Sequence, residues 1–200
     1  MTTFPGSPPT VRAALMSVDI LSLRPVQAVA FQFNPHTLTR SFELKAGTTG
    51  AEAGQIRSAP IETIKLELEL DGTDGLLDAD ALGIAPQIAA LEEMASRSSA
   101  VIVADLVLSS LGVIEIVPPI TRLTVLSWGM RVLPVVITEL SVTEEAFDPE
   151  LNPLRARVAL GLRVLNWDDV GPTHPAFGVA MAHKVSNEVL AALAATGGAK

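Results

Sequence analysis

The chain contains no cysteine and no tyrosine among its 200 residues. Without cysteine there is no disulfide framework, no thiolate nucleophile and no zinc knuckle, and nothing calls for an oxidising compartment. Histidine is scarce as well. His36, His174 and His183 stand too far apart for an HExxH or paired zinc-ligand spacing. Basic residues are outnumbered, 14 against 22 acidic, and the net charge of −8 offers no field for a phosphate backbone, which disfavours nucleic acid. Long apolar runs are missing too. The most apolar window, Val101 to Val117, is broken by Asp105, Glu115 and Ser109-Ser110-Leu111-Gly112, short of the roughly 18 residues a membrane span needs. Met1 to Pro9 lacks the basic-then-apolar order of an export signal. The expectation is a cytoplasmic protein with no membrane insertion.

Apolar side chains, by contrast, are plentiful. They make up 48% of the chain, and the mean hydropathy is +0.41. This exceeds what one core of this size requires, so apolar surface is expected to be covered by partners.

Much of that content alternates. Ile64, Leu66, Leu68 and Leu70 share one face of a strand whose other face carries Lys65, Glu67 and Glu69. Ala14–Leu23, Val26–Phe33, Thr37–Lys45, Thr121–Gly129, Val132–Thr143 and Leu154–Leu165 read as further strands, and Val101–Val117 as one or two more turning at Gly112. Gly47–Pro60 and "DGTDGLLDADALG" read as loops. Pro86 opens a helix with Ile88, Leu91 and Met94 on one stripe. From Pro175, Phe177, Met181, Val185, Val189 and Leu193 recur every four residues until Gly197-Gly198, an amphipathic helix that must dock on its own domain or on another chain. The fold class is mainly β (α+β): an antiparallel sheet or barrel with one internal helix and a C-terminal amphipathic helix. The expected division is a flexible start over 1–13, a β domain over 14–168 with an insert at 96–119, and a helical arm over 169–200.

No catalytic constellation emerges. Glu144, Glu145, Asp148 and Glu150 are the best carboxylate group, but they lie beside Asp-Pro and Asn-Pro turns, where charges are normally solvated rather than held buried as acid–base catalysis requires. Asp71, Asp74, Asp78 and Asp80 miss the EF-hand spacing, and "GTTGAEAG" lacks the lysine and hydroxyl of a phosphate loop. There is no G-x-S-x-G elbow. No enzyme, cofactor or metal site is expected.

Several elements in order, "FQFNPHTLTRSF", "ETIKLELELDGTD", "IAPQIAALEEM", "LSWG" and the stretch around "FDPELNPLRAR", resemble the tube-domain proteins of contractile injection systems, the phage-tail-like particles. More narrowly, they are similar to the baseplate adaptor that usually carries a LysM module. The resemblance covers about residues 14 to 166. It implies a tail-tube-like β-sandwich or split barrel, a sixfold ring of self-copies, no catalysis, and contacts with tube protein, spike hub and baseplate wedge. Carried over by position, Phe33, Asn34, Pro35, Trp128, Phe147, Asp148, Asn152, Arg155 and Arg157 are fold-defining or contact residues. Phe177, Met181, Val185, Val189 and Leu193 of the tail helix are further interface candidates, standing where the family carries LysM. Ser96–Pro119 is inserted relative to the pattern. A tube or tube-initiating protomer is the nearest alternative. A small-ligand-binding β-barrel is the alternative of another class.

Overall fold

The alternation over Ile64–Leu70 is realised as one strand of a seven-stranded antiparallel sheet in the computed structural model of the chain, which describes residues 12–20, 22–44, 58–72, 82–96, 99–110 and 122–197. In chain order the strands are β1 (Ala14–Asp19), β2 (Pro25–Ala30), β3 (Leu38–Glu43), β4 (Ile61–Asp71), β5 (Arg122–Trp128), β6 (Arg131–Phe147) and β7 (Pro153–Val164). The helices are α1 (Ala85–Ala95), α2 (Ser99–Ser110) and α3 (Pro175–Gly197). Most of the expected Gly47–Pro60 loop, most of the "DGTDGLLDADALG" connector, and the 111–119 end of the insert lie outside the described residues.

The strand order is β2-β1-β5-β6-β7-β4-β3, so β2 and β3 are its two edges. β6 joins the halves. Its first residues pair with β5, Val135 is opposite both neighbours, and the rest runs along β7. At 17 residues it is longer than the Val132–Thr143 expectation, and Glu144, Glu145 and Phe147 belong to it rather than to the turn. Past Thr143 the strand continues through an irregularity around Ala146, with Glu144, Glu145 and Phe147 exposed.

Two glycines are required by this geometry. Gly129 turns β5 into β6 at φ +59°, a region that costs a side-chain-bearing residue steric strain. Gly161 of β7 lies against the β6 bulge between Ile137 and Glu139, and a Cβ there would stand 2.8 Å from the Glu139 Cβ. Its bareness also lets Lys65 of β4 reach across β7 to Glu139, Nζ to Oε2 at 3.1 Å.

The inward faces close on one core. Leu15, Phe31, Ile64, Leu68, Leu70, Leu126, Leu133, Val158 and Leu162 are almost wholly buried there, with Ile84 and Leu91 from around α1. Each large side chain contributes on the order of 1.5–3 kcal/mol. The core draws on both ends of the strand order, which means that the sheet curls into a split barrel.

A side chain bridges the split. Gln32, buried just past β2, donates from Nε2 to the Asp71 carbonyl at 2.7 Å and accepts from the Asp71 N–H at 2.5 Å through Oε1. Its amide thus replaces a neighbouring strand for the last residue of β4. Asn34 adds a second tie, its Oδ1 accepting from the Ala13 N–H at 3.0 Å, while the Phe31 N–H donates to the Ala13 carbonyl at 2.8 Å.

One expected element is corrected. Val101–Val117 was read as strand, yet Ser99–Ser110 is helix α2. Between Ser99 and Ser109 the run is apolar except for Asp105 and so carries neither period, and the 12 residues suit a helix better than a typical strand. α3 fulfils the tail expectation in extent, and of the two docking alternatives its first turns take the chain's own domain. Ala176 and Ala180 are buried, and Ala176 packs with Leu123 and Val125 on the outer face of β5. The first turns of α3 are therefore part of the domain.

Candidate functional site

The carboxylates around Asp148 are resolved into a turn and a stem. Asp148 Oδ1 accepts from the N–H groups of Glu150 and Asn152 at 2.9 and 2.8 Å, and Oδ2 accepts from Asn152 Nδ2 at 2.8 Å. The Asp148 and Leu151 N–H groups complete the turn by donating to the carbonyls of Asn152 and Asp148, each at 3.0 Å. These bonds, the Asn152 side chain first, hold the Asp148 carboxyl below its ordinary value of 3.8. Asp148 is a turn staple, and its lone pairs are spent on the chain's own backbone. Beyond it, Leu151 adopts φ +66° and is 78% exposed, beside Phe147 at 48%. A leucine in the left-handed region is strained, and an apolar side chain held out in water this way has no local benefit.

Along the stem the charges are paired. Arg155 donates from Nε and Nη2 to Asp71 Oδ2 at 3.0 and 2.6 Å, which raises its pKa above the ordinary arginine value. Arg157 meets Glu145 at 3.2 Å and Glu69 at 3.8 Å. Such exposed pairs contribute little individually, but they fix the register of β4, β7 and β6. Phe33, Arg155 and Arg157 come together around one concavity of about 260 Å³ with Glu69, Asp71 and Glu145.

At the other end of the hairpin, α3 crosses the place where β7 leaves and β4 begins. A cleft of about 190 Å³ opens there. Its apolar walls include Phe42, Pro60, Val164, Trp167 and Ala180. Arg40 Nε donates to Glu62 Oε1 at 2.5 Å and its guanidinium lies 5.1 Å from the Phe42 ring, while Lys184 stands 5.8 Å from the Trp167 ring and 3.3 Å from Glu188. Burial pushes the His183 pKa below the usual histidine value; Glu62 opposes the shift, and Arg40 and Arg131 reinforce it.

The sequence-predicted contact residues thus fall into five places. Phe33, Arg155 and Arg157 share the stem concavity; Phe147, Asp148 and Asn152 form the hairpin end; Trp128 packs half-buried on the core at the β5 end. Phe177 is half-buried, and Met181, Val185, Val189 and Leu193 are exposed along α3. Asn34 and Pro35 border a neighbouring pocket with Phe33. Gln32, Arg40 and Lys184 were not singled out from the sequence; only the glutamine within "FQFNP" hinted at a buried amide in need of partners. Among the described residues no group of three potential metal ligands stands together, and no helix is long and apolar enough to cross a membrane.

The profile of a family described as contractile injection system tube protein matches residues 22–166. None of the curated proteins searched matches the chain.

Proposed function

Since the chain belongs to the contractile injection system tube protein family, with assembly into a phage-tail-like particle its expected role, we propose that it is an inner-baseplate adaptor. In this reading copies form a sixfold ring that joins the inner tube or spike hub to the surrounding baseplate wedge. The observation that carries it is the edge arrangement. Among the described residues the sheet ends in two edge strands, β2 and β3, of six residues each at opposite ends of its order. Edges of that kind are a liability in a monomer and an asset in a closed ring, where the edge of one copy meets the other edge of the next. The exposed apolar residues of α3 supply a further contact beyond the ring, in the position where the family's adaptors carry another module. No chemistry on substrates enters this role.

A tube protomer of the same particle is the second reading. It is favoured by the exposed apolar hairpin end and the cleft, which lie at opposite ends of the same strands and suit repeated stacking. A small-ligand barrel is the reading of another class; among the described residues the cleft of about 190 Å³ and the concavity of about 260 Å³ are smaller than the roughly 300–1,000 Å³ usual for such sites. Affinity purification of the tagged chain tests the proposal. It should bring down sheathed particles visible by electron microscopy, with the chain at their baseplate end; a clean monomer with no particle proteins would contradict it.

A further inference from the structure

The hairpin end and the α3 cleft are complementary in shape, polarity and charge. From Phe147 to Leu151 the end carries two exposed apolar side chains and only acidic charge, Asp148 and Glu150. The cleft has apolar walls and is lined by Arg40, Lys184 and Glu62; with Arg131, which acts on His183, and Glu188, which pairs with Lys184, the cations number three against two carboxylates. That local excess is opposite in sign to the chain's net charge of −8. An apolar cavity of about 150 Å³ holds benzene, so the cleft's roughly 190 Å³ admits one leucine or phenylalanine side chain. Leu151 is held out by a strained backbone on a turn that Asp148 pins with three side-chain bonds. Preorganisation of that sort lowers the entropic cost of docking.

The two features cannot meet within one molecule. They are separated by β7, whose 12 residues extend over roughly 36 Å. We propose that the Phe147–Leu151 end of one copy seats in the α3 cleft of a second copy, Leu151 entering between Phe42 and Trp167 and Glu150 lying by Lys184. Because donor and acceptor surfaces differ and lie at opposite ends, the contact is heterologous and repeats head to tail. It joins layers along the hairpin, whereas the edge strands join neighbours within a layer. The inference rests on the second reading, a tube protomer whose rings stack, and names the contact between layers.

The absence of native cysteine makes the test direct. Leu151→Cys protein is mixed with Asn187→Cys protein, Asn187 being on the cleft rim, and the mixture is oxidised at high protein concentration. Inter-chain disulfide between the two variants is expected at about tenfold or more over a Leu151→Cys with Glu92→Cys control, since a bridge forms only where Cα atoms come within about 7 Å. Equal yields would overturn the contact. Charge exchange supplies the second arm. Lys184→Glu and Glu150→Lys should each weaken self-association about tenfold, and the double variant should recover most of it, because like-charge juxtaposition at an interface is costly. Additive losses would also overturn it. Leu151→Gly relieves the strained φ, so it should fold at least as stably yet associate more weakly; unchanged association would count against the plug. If tagged particles contain the chain but give no Leu151–Asn187 disulfide, this contact fails while the particle assignment stands. The cross-link in a chain absent from particles would reverse that outcome.

Discussion

Gln32 shows how one amide can decide an architecture. Both of its hydrogen bonds go to the backbone of Asp71, and they join strands that stand apart in the sheet order. Gln32→Ala removes both bonds to the part-buried Asp71 backbone and should cost about 1–3 kcal/mol, read as a lowered urea midpoint. Gln32→Glu should be no better, because a carboxylate at neutral pH cannot donate to the Asp71 carbonyl. Asp148 acts on a smaller scale and responds to pH. Its pKa is depressed in the folded chain, so its contribution is fully present above the ordinary value of 3.8 and is lost as pH falls through the lower folded value. Hydrogen exchange should therefore show the Glu150 and Asn152 amides opening in acid below about pH 4 while the β4 and β7 amides stay protected. Asp148→Asn should make that opening largely insensitive to pH.

Strands were the legible elements. Ile64–Leu70 and Leu154–Leu165 alternate because one face is core and the other is open, whereas Thr121–Gly129 is buried on both faces, between the core and α3; each appears within a few residues of the reading. α2 was not legible, since from Ala100 to Leu108 only Asp105 interrupts the apolar residues and periodicity had little to act on. The contact candidates were legible as residues but not as places. Phe147 and Arg155 are close in sequence, yet one is an exposed apolar end and the other an ion pair with Asp71, 84 positions away. Arg40 and Lys184 were invisible as a pair because only the fold brings β3 beside α3. The same reasoning moves the start of the tail arm. Ala176 and Ala180 are buried, whereas every side chain described from Lys184 to Ala195 is exposed. Truncation after His183 should leave thermal stability nearly unchanged and weaken particle incorporation. Deletion from Pro175 should lower the melting temperature as well, because it uncovers Leu123 and Val125. Equal melting for the two truncations would show that the first turns of α3 contribute nothing to the core.

For the whole molecule, hydropathy, sheet edges and hairpin geometry converge on assembly. A chain that is 48% hydrophobic and 18% charged leaves Met130, Leu151 and much of α3 exposed, a distribution that suits a subunit better than a solitary protein. In the proposed assembly the edges extend laterally and the hairpin axially, which would give one sheet two independent directions of contact. Phe147→Ala should therefore reduce incorporation into particles, while Glu145→Gln, which alters only an exposed pair with Arg157, should leave it near wild type. Equal losses in a particle-yield assay would reject that division of roles. The most direct measurement is a cryo-EM map of the sheathed particle. The expected result is six copies of this split barrel in a ring around the channel at the inner baseplate, β2 of each beside β3 of the next. Particles complete in tube, sheath and baseplate with no density for this fold would contradict it.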